Sequence, residues 1–370
     1  MRILEVCVDL DGGGIDRYLL NYCSRIKDIQ FDFAIIDSKK TGILEADILA
    51  LGSHIYRLPR QSAGIKANYN ALKRILTEQH YDAVHVHLGY RGALALFCAK
   101  KCGIKTRIVH AHIAYETENF AQKCIRKVFT WLTKAQATHL AACGVDAGKW
   151  VWGKRAFARG KVKIHNNAID TAQFRFSPDL RIQKRQELGL EDGVLAVGHV
   201  GRISLQKNQT RLLDIFAELV KQHPSAKLFI IGRGNTESEL EQKAARLGLA
   251  EHVVFLGVRS DVSALLNAFD VFVFPSLFEG LPFTLIETQC NGLPAISADT
   301  VTPLVQVGDH VRFLSLTESD AAWAAISLAE AQRGHDGQAY QSVIAAGYDI
   351  DTEALALSDY YKNSVRTAKQ

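Results

Sequence analysis

Two cations and two acids in the second half of the chain have types and spacings that could act on a charged ligand. Arg202 and Lys207 stand five residues apart in GRISLQKN, just before a stretch of helical period, although each alone would be an ordinary surface charge. Glu279 and Glu287 stand eight residues apart in FEGLPFTLIETQ, around a Gly-Leu-Pro turn. Helix starts attract anions through free amides and the helix dipole. The cations therefore predict a phosphate-bearing ligand, whereas the residue types alone do not say what the acids bind.

Glycines lie at several of the same strand-to-helix turns. DLDGGGIDR places Gly12 to Gly14 at the opening of a helix, IIGRGN contains Gly232 and Gly234, and FLGVRSD contains Gly257. Glycine lets the backbone approach a ligand closely, and successive free amides bind anions. A glycine-rich turn also serves tight packing alone, so both interpretations stay open for these loops.

Two other groups of residues could bind a metal. Asp9 and Asp11 in DLD could form a metal-binding pair or could cap the loop. Two His-x-His runs would each project both rings to one side of a strand. The four histidines are His85, His87, His110 and His112. Four histidines could hold zinc, but no cysteine or acid lies at zinc-site spacing, so we favour polar lining at strand ends and expect no metal.

The elements that must position these residues form an α/β pattern that occurs twice. Short β-branched runs alternate with amphipathic segments, which is typical of a parallel sheet covered by helices on both faces. The first set of strands is RILEVCVDL, FDFAIID, HIYRLP, AVHVHL, TRIVHAHI and THLAACG, and the second is GVLAVGHVGR, AKLFIIGRG, HVVFLGV, DVFVFPS and LPAISAD. We predict two doubly wound Rossmann-like domains facing a cleft that is lined by loops at the carboxyl ends of the strands.

The domain boundaries follow from turn-rich composition. IHNNAIDTAQFRFSP, residues 164–178, lacks a clear period and is predicted to connect the domains. We expect an N-terminal Rossmann-like domain over residues 1–170 and a C-terminal Rossmann-like domain over residues 171–350. A final helix over 351–370 is expected to pack back toward the first domain.

Composition indicates a globular protein of the cytoplasm. The 370 residues are 48% hydrophobic and 22% charged, and no window approaches the apolar length of a membrane helix. Seven cysteines lack any Cys-x-x-Cys pair, so we predict buried thiols and no disulfide framework.

The motifs resemble those of a known family. VGRISLQKN, GVRSDV, DVFVFPSLFEGLPFTLIETQCNGLP and GGGIDRYLLN are similar to the family 4 glycosyltransferases of GT-B fold, particularly the subgroup that builds bacterial exopolysaccharides and capsules. Glu279 to Glu287 resembles the Glu-x7-Glu signature of that family. The resemblance implies transfer of a sugar from a nucleotide diphosphate donor, such as a UDP-sugar, with retention of anomeric configuration and with no metal or other cofactor.

The resemblance also implies roles for particular residues. Glu279 is expected to contact the hydroxyls of the donor sugar and Glu287 those of the ribose, while backbone near Val258 and Arg259 holds the base. The catalytic set implied is Arg202, Lys207, Glu279 and His112, with His112 positioning the donor sugar. Further donor-binding residues are Gly13, Gly14, Gly232, Val258, Arg259, Gly280, Leu281, Phe283, Thr284 and Glu287. The resemblance makes residues 1–170 the acceptor-binding domain and residues 171–350 the nucleotide-sugar-binding domain. Residues expected to contact the acceptor are Asp16, Arg17 and His110.

The chain departs from the family pattern at one place, and two alternative functions stay open. Relatives carry an acid in a T-x-E arrangement after the segment GLPAISADT, whereas this chain continues VTPLVQVGD, so the role of that acid is in doubt here. The fold also serves sugar-nucleotide epimerases, and a relative can survive as a non-catalytic nucleotide-sugar-binding protein. A non-catalytic homologue would be expected to lose Glu279 or Arg202, and both are present.

Charge is unevenly distributed along the chain. Residues 1–190 hold 30 basic and 17 acidic side chains, whereas residues 191–370 hold 14 and 22. Within the basic half, FAQKCIRKVFTWLTKAQ mixes bulky apolar residues with Lys123, Arg126, Lys127 and Lys134, which is typical of a helix on an anionic membrane surface. We expect its apolar side to pack partly on its own sheet. The predicted partners are a nucleotide-sugar, a polyprenyl-diphosphate-linked or other glycan acceptor, and an anionic membrane, with no nucleic acid.

Overall fold

The structure, a computed structural model, describes residues 1–36, 41–112 and 118–369. It divides into two compact units, residues 1–168 with 350–370, and residues 169–349. The strands are β1 Arg2–Cys7, β2 Gln30–Ile36, β3 Ile55–Leu58, β4 Ala83–Val86, β5 Thr106–Ala111, β6 His139–Ala142, β7 Val162–Ile164, β8 Ala196–Val200, β9 Lys227–Ile231, β10 Val253–Gly257, β11 Val271–Phe274, β12 Ala295–Ala298 and β13 Val311–Leu314.

Helices connect most of these strands. They are α1 Gly14–Arg25, α2 Glu45–Ala50, α3 Ile65–Glu78, α4 Ala93–Lys101, α5 Phe120–Gln136, α6 Val145–Trp152, α7 Lys154–Ala158, α8 Thr171–Phe174, α9 Pro178–Glu187, α10 Gln209–Gln222, α11 Glu237–Arg246, α12 Val262–Leu266, α13 Phe283–Cys290, α14 Asp320–Ala331, α15 Tyr340–Ala345 and α16 Ile350–Lys369. Short 3₁₀ turns occupy Gln61–Ala63, Gly89–Arg91, Leu205–Lys207 and Pro303–Val305. No helix among the described residues is both long and apolar enough to cross a membrane.

The first unit is built on a seven-stranded parallel sheet in the order β3-β2-β1-β4-β5-β6-β7. Side chains alternate between the faces of a strand. One face carries apolar residues such as Leu4, Val86 and Val109, which pack against helices that include α3 and α4. The opposite face carries the intervening polar residues, and α1 and α16 contribute buried aromatic rings beside them. The C-terminal helix α16 therefore belongs to the core of this unit.

The second unit contains a six-stranded parallel sheet in the order β10-β9-β8-β11-β12-β13. Its core joins apolar residues of these strands to α10 and α14, where Leu212, Phe216 and Trp323 are fully buried. The order reverses direction at β8, so the loops after β8 and β11 flank the switch point of the sheet.

The expected fold class, two doubly wound parallel-sheet domains, is confirmed. The sequence pattern missed two strands, β7 and β13, each of which lies at the end of its sheet. Both are short, and a three- or four-residue strand carries too few side chains to show a period. The predicted strand ends at Asp37 and Ile113 lie outside the described residues.

Candidate active site

The loops that follow four neighbouring strands of the second unit carry most of the predicted site residues. Arg202 follows β8, Gly232 follows β9, Arg259 follows β10 and Glu279 follows β11. These strands are adjacent and parallel in the order β10-β9-β8-β11, so their carboxyl ends meet at one edge of the sheet. The structure thus brings together, at one edge, residues that span 77 positions between Arg202 and Glu279 in the sequence.

Backbone packing accounts for two glycines of this edge. Gly232 has a positive φ of 134°, and a Cβ atom there would lie 2.1 Å from the carbonyl oxygen of Gly201. A Cβ on Gly234 would lie 1.7 Å from the carbonyl oxygen of Ile203. Because the two loops touch through their backbones, both positions require glycine whatever the loops bind. The donor-binding role of Gly232 stays a prediction.

Lys207 and Glu279 form an ion pair at this edge. Lys207 Nζ lies 2.7 Å from Glu279 Oε1, and the two side chains are only 15% and 8% exposed. The ammonium also lies 4.5 Å from the ring centroid of Phe274, and Gln206 Nε2 donates to the other Glu279 oxygen over 3.2 Å. The cation predicted to bind phosphate and the acid predicted to bind sugar are therefore direct neighbours.

Arg202 lies on a turn that buried polar groups support. His199 Nδ1 donates to the carbonyl oxygen of Val273 over 2.9 Å, which leaves its Nε2 to accept from Gln209 Nε2 over 3.2 Å. Gln209 Nε2 also donates to the carbonyl of Arg202 over 3.0 Å. Burial lowers the pKa of His199 to about 4, with Lys207 adding to the effect, so the ring is neutral near pH 7. The Arg202 side chain itself is exposed.

Helix α13 begins directly after the Gly-Leu-Pro turn. Pro282 occupies its N-cap position and lacks an amide, so the first free donors come from Phe283 onward. Glu287 lies in the second turn and is only 8% exposed. Glu287 is therefore not an ordinary solvated glutamate on the helix surface.

The side chain of Arg259 is engaged in two ion pairs within the second unit. Its Nε lies 2.8 Å from Asp261 Oδ1, and its Nη2 lies 3.0 Å from Glu187 Oε1. These bonds raise the pKa of Arg259 and lower that of Asp261. Val258 is 52% exposed beside it. Only the backbone of this loop is then left for a base, as the family resemblance implies for it.

The glycine loop of the first unit has space around Gly12 and Gly13, whereas Gly232 and Gly234 of the second unit are packed against backbone. Gly12 has a φ of 87°, and a Cβ atom there would have no heavy atom within 4 Å. The nearest atom to a Cβ on Gly13 would be Asp16 Oδ2 at 3.5 Å.

Asp16 accepts a hydrogen bond of 2.9 Å from the Gly13 amide and so caps α1. Burial, reinforced by Asp9, raises the pKa of Asp16 to about 7 against the effect of that bond.

The polar face of the first sheet contains a connected cluster of histidines around a buried acid. Glu5, in the middle of β1, is 1% exposed, and its Oε2 lies 2.7 Å from His87 Nε2. His87 Nδ1 lies 2.8 Å from His112 Nε2. On the other side, His85 Nδ1 lies 2.6 Å from the hydroxyl of Tyr361 in α16, which donates to Glu5 Oε1 over 3.1 Å. His110 Nδ1 lies 3.3 Å from His85 Nε2.

Ionisation in this cluster follows from burial and from the short contacts. Burial alone would raise the pKa of Glu5, but His85 and His87 lower it to about 2. Burial lowers the pKa of His87 to about 4, and it lowers those of His110 and His112 well below the usual histidine range. The cluster therefore holds an ionised carboxylate that accepts hydrogen bonds from its neighbours.

Three of these rings come close enough to be considered as metal ligands. One ring nitrogen each of His85, His87 and His110 lies within 4.8 Å of the other two. Both nitrogens of His87 already engage Glu5 and His112, so a metal would have to replace one of those bonds. The structure favours a hydrogen-bonded cluster, and the expectation of no metal stays a prediction.

Comparison with known proteins identifies the family. Residues 12–173 match the model of Glycosyltransferase Family 4, and residues 181–345 match that of Glycosyl transferases group 1. EpsF of Bacillus subtilis (strain 168), a glycosyltransferase by its name, is 31% identical over 372 residues, covering 98% of this chain and 97% of EpsF. The chain belongs to the family 4 glycosyltransferases.

Two further comparisons concern a sequence relative and a structure of similar fold. A UDP-Gal:alpha-D-GlcNAc-diphosphoundecaprenol alpha-1,3-galactosyltransferase of Escherichia coli is 27% identical over 294 residues, covering 76% of this chain and 75% of that protein. The crystal structure of Anabaena HepE with UDP and glucose superposes with a TM-score of 0.79 at 20% identity, covering 98% of this chain and all of HepE. The GT-B fold expected for this family 4 glycosyltransferase is confirmed.

Sequence reasoning missed three buried polar residues of this glycosyltransferase. These residues are Glu5, His199 and Gln209. Each takes part in hydrogen bonds that hold a predicted site residue in place, and none belongs to a recognisable sequence motif. A signal existed for Glu5, because an acid within the apolar run of a central parallel strand must find partners inside the protein. His112 is hydrogen-bonded to His87, which in turn contacts Glu5. Its role toward the donor stays a prediction, as do the roles of Asp16, Arg17 and His110. His110 is fully buried in this structure.

The predicted membrane helix is α5, and its orientation differs from the expectation. Six apolar side chains on one side of the helix are between 36% and 82% exposed, and within the helix only Thr133 is buried. These six are Phe120, Ile125, Val128, Phe129, Trp131 and Leu132. The expectation that this apolar side packs partly on its own sheet is wrong. The opposite side of the helix, around Arg126 and Thr133, makes the contacts with the rest of the unit.

The inner side of α5 uses two of its basic residues. Arg126 pairs with Glu118 over 2.8 Å and lies 4.4 Å from the ring centroid of Trp150. Lys134 Nζ donates to the carbonyl of Trp152 over 2.9 Å. Lys123 and Lys127 remain exposed beside the apolar side. We call the six exposed apolar residues with these two lysines the α5 surface.

Proposed function

We propose that this glycosyltransferase transfers a sugar, with retention of its anomeric configuration, from a UDP-sugar to a lipid-linked glycan in exopolysaccharide or capsule assembly. The observation that carries the proposal is the arrangement of Lys207 and Glu279, which lie 2.7 Å apart at the sheet edge where Arg202 is exposed. A cation beside an acid suits a ligand with a diphosphate next to sugar hydroxyls.

The leaving group would be a nucleoside diphosphate whose negative charge grows as the glycosidic bond breaks. His199 and Gln209 support the backbone turn that carries Arg202, and Lys207 is held by its ion pair with Glu279, so the lysine charge is in place before the reaction. Preorganised charges stabilise a developing anion more effectively than water does. We assign same-face attack to the acceptor hydroxyl, whose proton passes to the departing phosphate, as the family resemblance implies for retaining members.

Relatives support the substrate classes. The name of the Escherichia coli relative specifies a UDP-Gal donor and an acceptor linked to diphosphoundecaprenol. HepE has been crystallised with UDP-glucose as well as with UDP and glucose. We extend both classes to this protein, and we place it at an anionic membrane surface, where a lipid-linked acceptor resides.

The α5 surface supports a membrane location. Its six apolar residues face away from the unit, with Trp131 67% and Phe120 82% exposed, and Lys123 and Lys127 lie at the margin. An interfacial helix buries such a face in the headgroup region, and nearby lysines bind anionic lipids.

Release of nucleoside diphosphate from a panel of nucleotide sugars tests the function. The protein is incubated with each donor, with and without a polyprenyl-diphosphate-linked acceptor, and the anomeric configuration of the product is read by NMR. We expect acceptor-dependent release from a UDP-sugar, an α-product from an α-donor and full activity in the presence of EDTA. Epimerisation of the donor without transfer, or nucleotide binding without any turnover, would establish one of the two alternative functions instead.

A further inference from the structure

A line of three hydrogen-bonding groups runs through the polar face of the first unit to a predicted catalytic residue. Glu5 Oε2 lies 2.7 Å from His87 Nε2, and His87 Nδ1 lies 2.8 Å from His112 Nε2. Both His87 nitrogens are used, and Glu5 and His87 are 1% and 2% exposed. The line therefore leaves one ring nitrogen of His112, Nδ1, outside the chain of bonds.

The direction of the protons in this line follows from the acid at its end. Glu5 is ionised, since its pKa is lowered to about 2, and an ionised carboxylate only accepts hydrogen bonds. His87 is neutral and has a single ring proton, which the carboxylate holds on Nε2. Nδ1 of His87 must then accept, so the proton in the second bond belongs to His112 Nε2. Neutral His112 has no second ring proton to place on Nδ1.

We propose that Glu5 is a positioning residue that acts through His87 to hold His112 as its Nε2–H tautomer, with Nδ1 free to accept a hydrogen bond from a substrate hydroxyl. This inference deepens the proposed function and rests on it for the identity of the substrate as a sugar. The two interatomic distances and the burial of the acid carry it.

A merely structural acid would be an expensive choice at this position. Glu5 lies in the middle of a central parallel strand between the apolar residues Leu4 and Val6, and burial of an isolated carboxylate is strongly unfavourable. Tyr361 also donates to this acid, through Oε1 over 3.1 Å. The Tyr361 hydroxyl bonds to the carboxylate and to His85 Nδ1, on the other side of the acid from His87 and His112, so its removal tests the cluster without breaking the line to His112.

The tautomers are measured directly by NMR on the full chain with ¹⁵N-labelled histidine and without substrate. Couplings between ring nitrogens and carbon-bound protons distinguish Nδ1–H from Nε2–H, and the His112→Gln and His87→Gln variants assign the signals. We expect Nε2–H for both His87 and His112. Nδ1–H on both rings would mean that a protonated Glu5 donates along the line in the opposite direction, and would overturn the proposal.

Kinetics test whether the line matters for transfer. Glu5→Gln can still fill the site but no longer imposes one proton direction, so we expect kcat to fall at least about tenfold with KM nearly unchanged. Tyr361→Phe, which removes the hydroxyl bonded to the same carboxylate and to His85 but leaves the bonds among Glu5, His87 and His112, should stay within about threefold of the parent. Equal losses in the two variants would show that the acid serves only the packing of the unit.

A double-mutant cycle separates action through His112 from a general effect. In a His112→Gln background, Glu5→Gln should cause no further loss, because the residue through which it acts is already gone. Independent, additive losses would reject the line of action. The NMR result does not depend on activity, so a protein that shows the expected tautomers but no transfer would contradict the proposed function and leave the tautomer assignment standing.

Discussion

The ammonium nitrogen of Lys207 lies 2.7 Å from the Oε1 atom of Glu279, so two residues expected to hold different parts of one donor contact each other directly. Both side chains are largely shielded from water, which strengthens their interaction relative to an exposed pair. A diphosphate that binds Lys207 must therefore compete with Glu279. This competition gives the acid an effect on nucleotide affinity as well as on sugar recognition.

Glu279→Gln should raise affinity for free UDP while lowering turnover with the UDP-sugar. The substitution removes the charge that partly neutralises Lys207, so the diphosphate meets a stronger cation, whereas the donor sugar loses a charged hydrogen-bond acceptor. We expect UDP to bind severalfold tighter by calorimetry and kcat to fall by about two orders of magnitude. Weaker UDP binding in this variant would show instead that Glu279 chiefly orients the ammonium.

Arg202→Ala and Lys207→Ala should each reduce kcat by about 10²- to 10³-fold, in line with the loss of a charged group that stabilises the leaving diphosphate. The control is Arg246→Ala, which removes an exposed arginine from the last turn of α11. It should leave kcat unchanged. Activity of the Arg202 variant within a few-fold of the parent would contradict its assigned role.

Glu287→Gln should weaken the binding of UDP about tenfold or more, because a buried carboxylate that accepts from both ribose hydroxyls would be replaced by a neutral amide. Titration calorimetry with UDP measures the change. Glu239→Gln, on the exposed side of α11, is the matched neutral substitution and should bind UDP normally. Unchanged affinity in the Glu287 variant would count against ribose binding.

Asp16 should make the stability of the first unit depend on pH. Its pKa of about 7 in the folded protein exceeds the ordinary value of 3.8, so the folded state binds the proton more tightly than the unfolded state. The unit is then most stable, in this respect, when Asp16 is protonated. Stability falls by up to about 1.4 kcal/mol per pH unit as pH rises from about 4 to about 7, and it is constant above that range.

Hydrogen–deuterium exchange in α1 at several pH values measures this effect. Asp16→Asn should lack the decline and be relatively more protected at pH 8 than the parent, since an amide can still accept from the Gly13 amide. Asp47→Asn, an exposed neutralisation in α2, should leave the pH dependence as it is. A parent protein whose α1 protection is flat from pH 4 to pH 8 would rule out the assignment.

The α5 surface should bind vesicles that contain anionic lipid, in a salt-sensitive manner. Lys123→Glu with Lys127→Glu should weaken this binding, and Trp131→Ser should weaken it even at low salt, because the first pair changes charge and the second removes buried apolar area. Arg126 is left unchanged, since it pairs with Glu118 inside the unit. Donor hydrolysis in solution should be unaffected by these variants.

A double charge reversal elsewhere in the same unit provides the control for vesicle binding. Lys66 and Lys73 are exposed in α3, and Lys66→Glu with Lys73→Glu changes the net charge by the same amount. These variants should sediment with vesicles as the parent does. Equal partition of the parent onto neutral and anionic vesicles would remove the membrane-surface proposal.

The alternation of strands and helices could be predicted from sequence because a buried parallel strand is a nearly continuous apolar run bounded by turn residues. The edge strands β7 and β13 escaped detection, and at three and four residues each offers few side chains to show a period, although β3, an edge strand as short as β13, was predicted. The charged site residues were predictable for a related reason. Arg202 and Glu279 each follow an apolar run directly, and parallel strands end at a common edge.

The orientation of α5 could not be deduced from its sequence. Its apolar and basic residues fall on different sides, and a soluble protein ordinarily turns the apolar side inward. The opposite orientation is decided by contacts with neighbouring backbone and aromatic groups. These contacts are made by Arg126, Thr133 and Lys134. Those partners lie in other elements, and only the folded chain brings them to the helix.

The sequence by itself determined the family, the two-sheet architecture and the positions of Arg202, Lys207, Glu279 and Glu287, because motifs and periods are local properties of the chain. Only the tertiary structure decided which groups are bound to one another. The pairing of Glu5 with His87 spans 82 positions and depends on the register of β1 against β4. A one-residue shift of that register would turn Glu5 away from the histidines, so no local pattern could specify the bond.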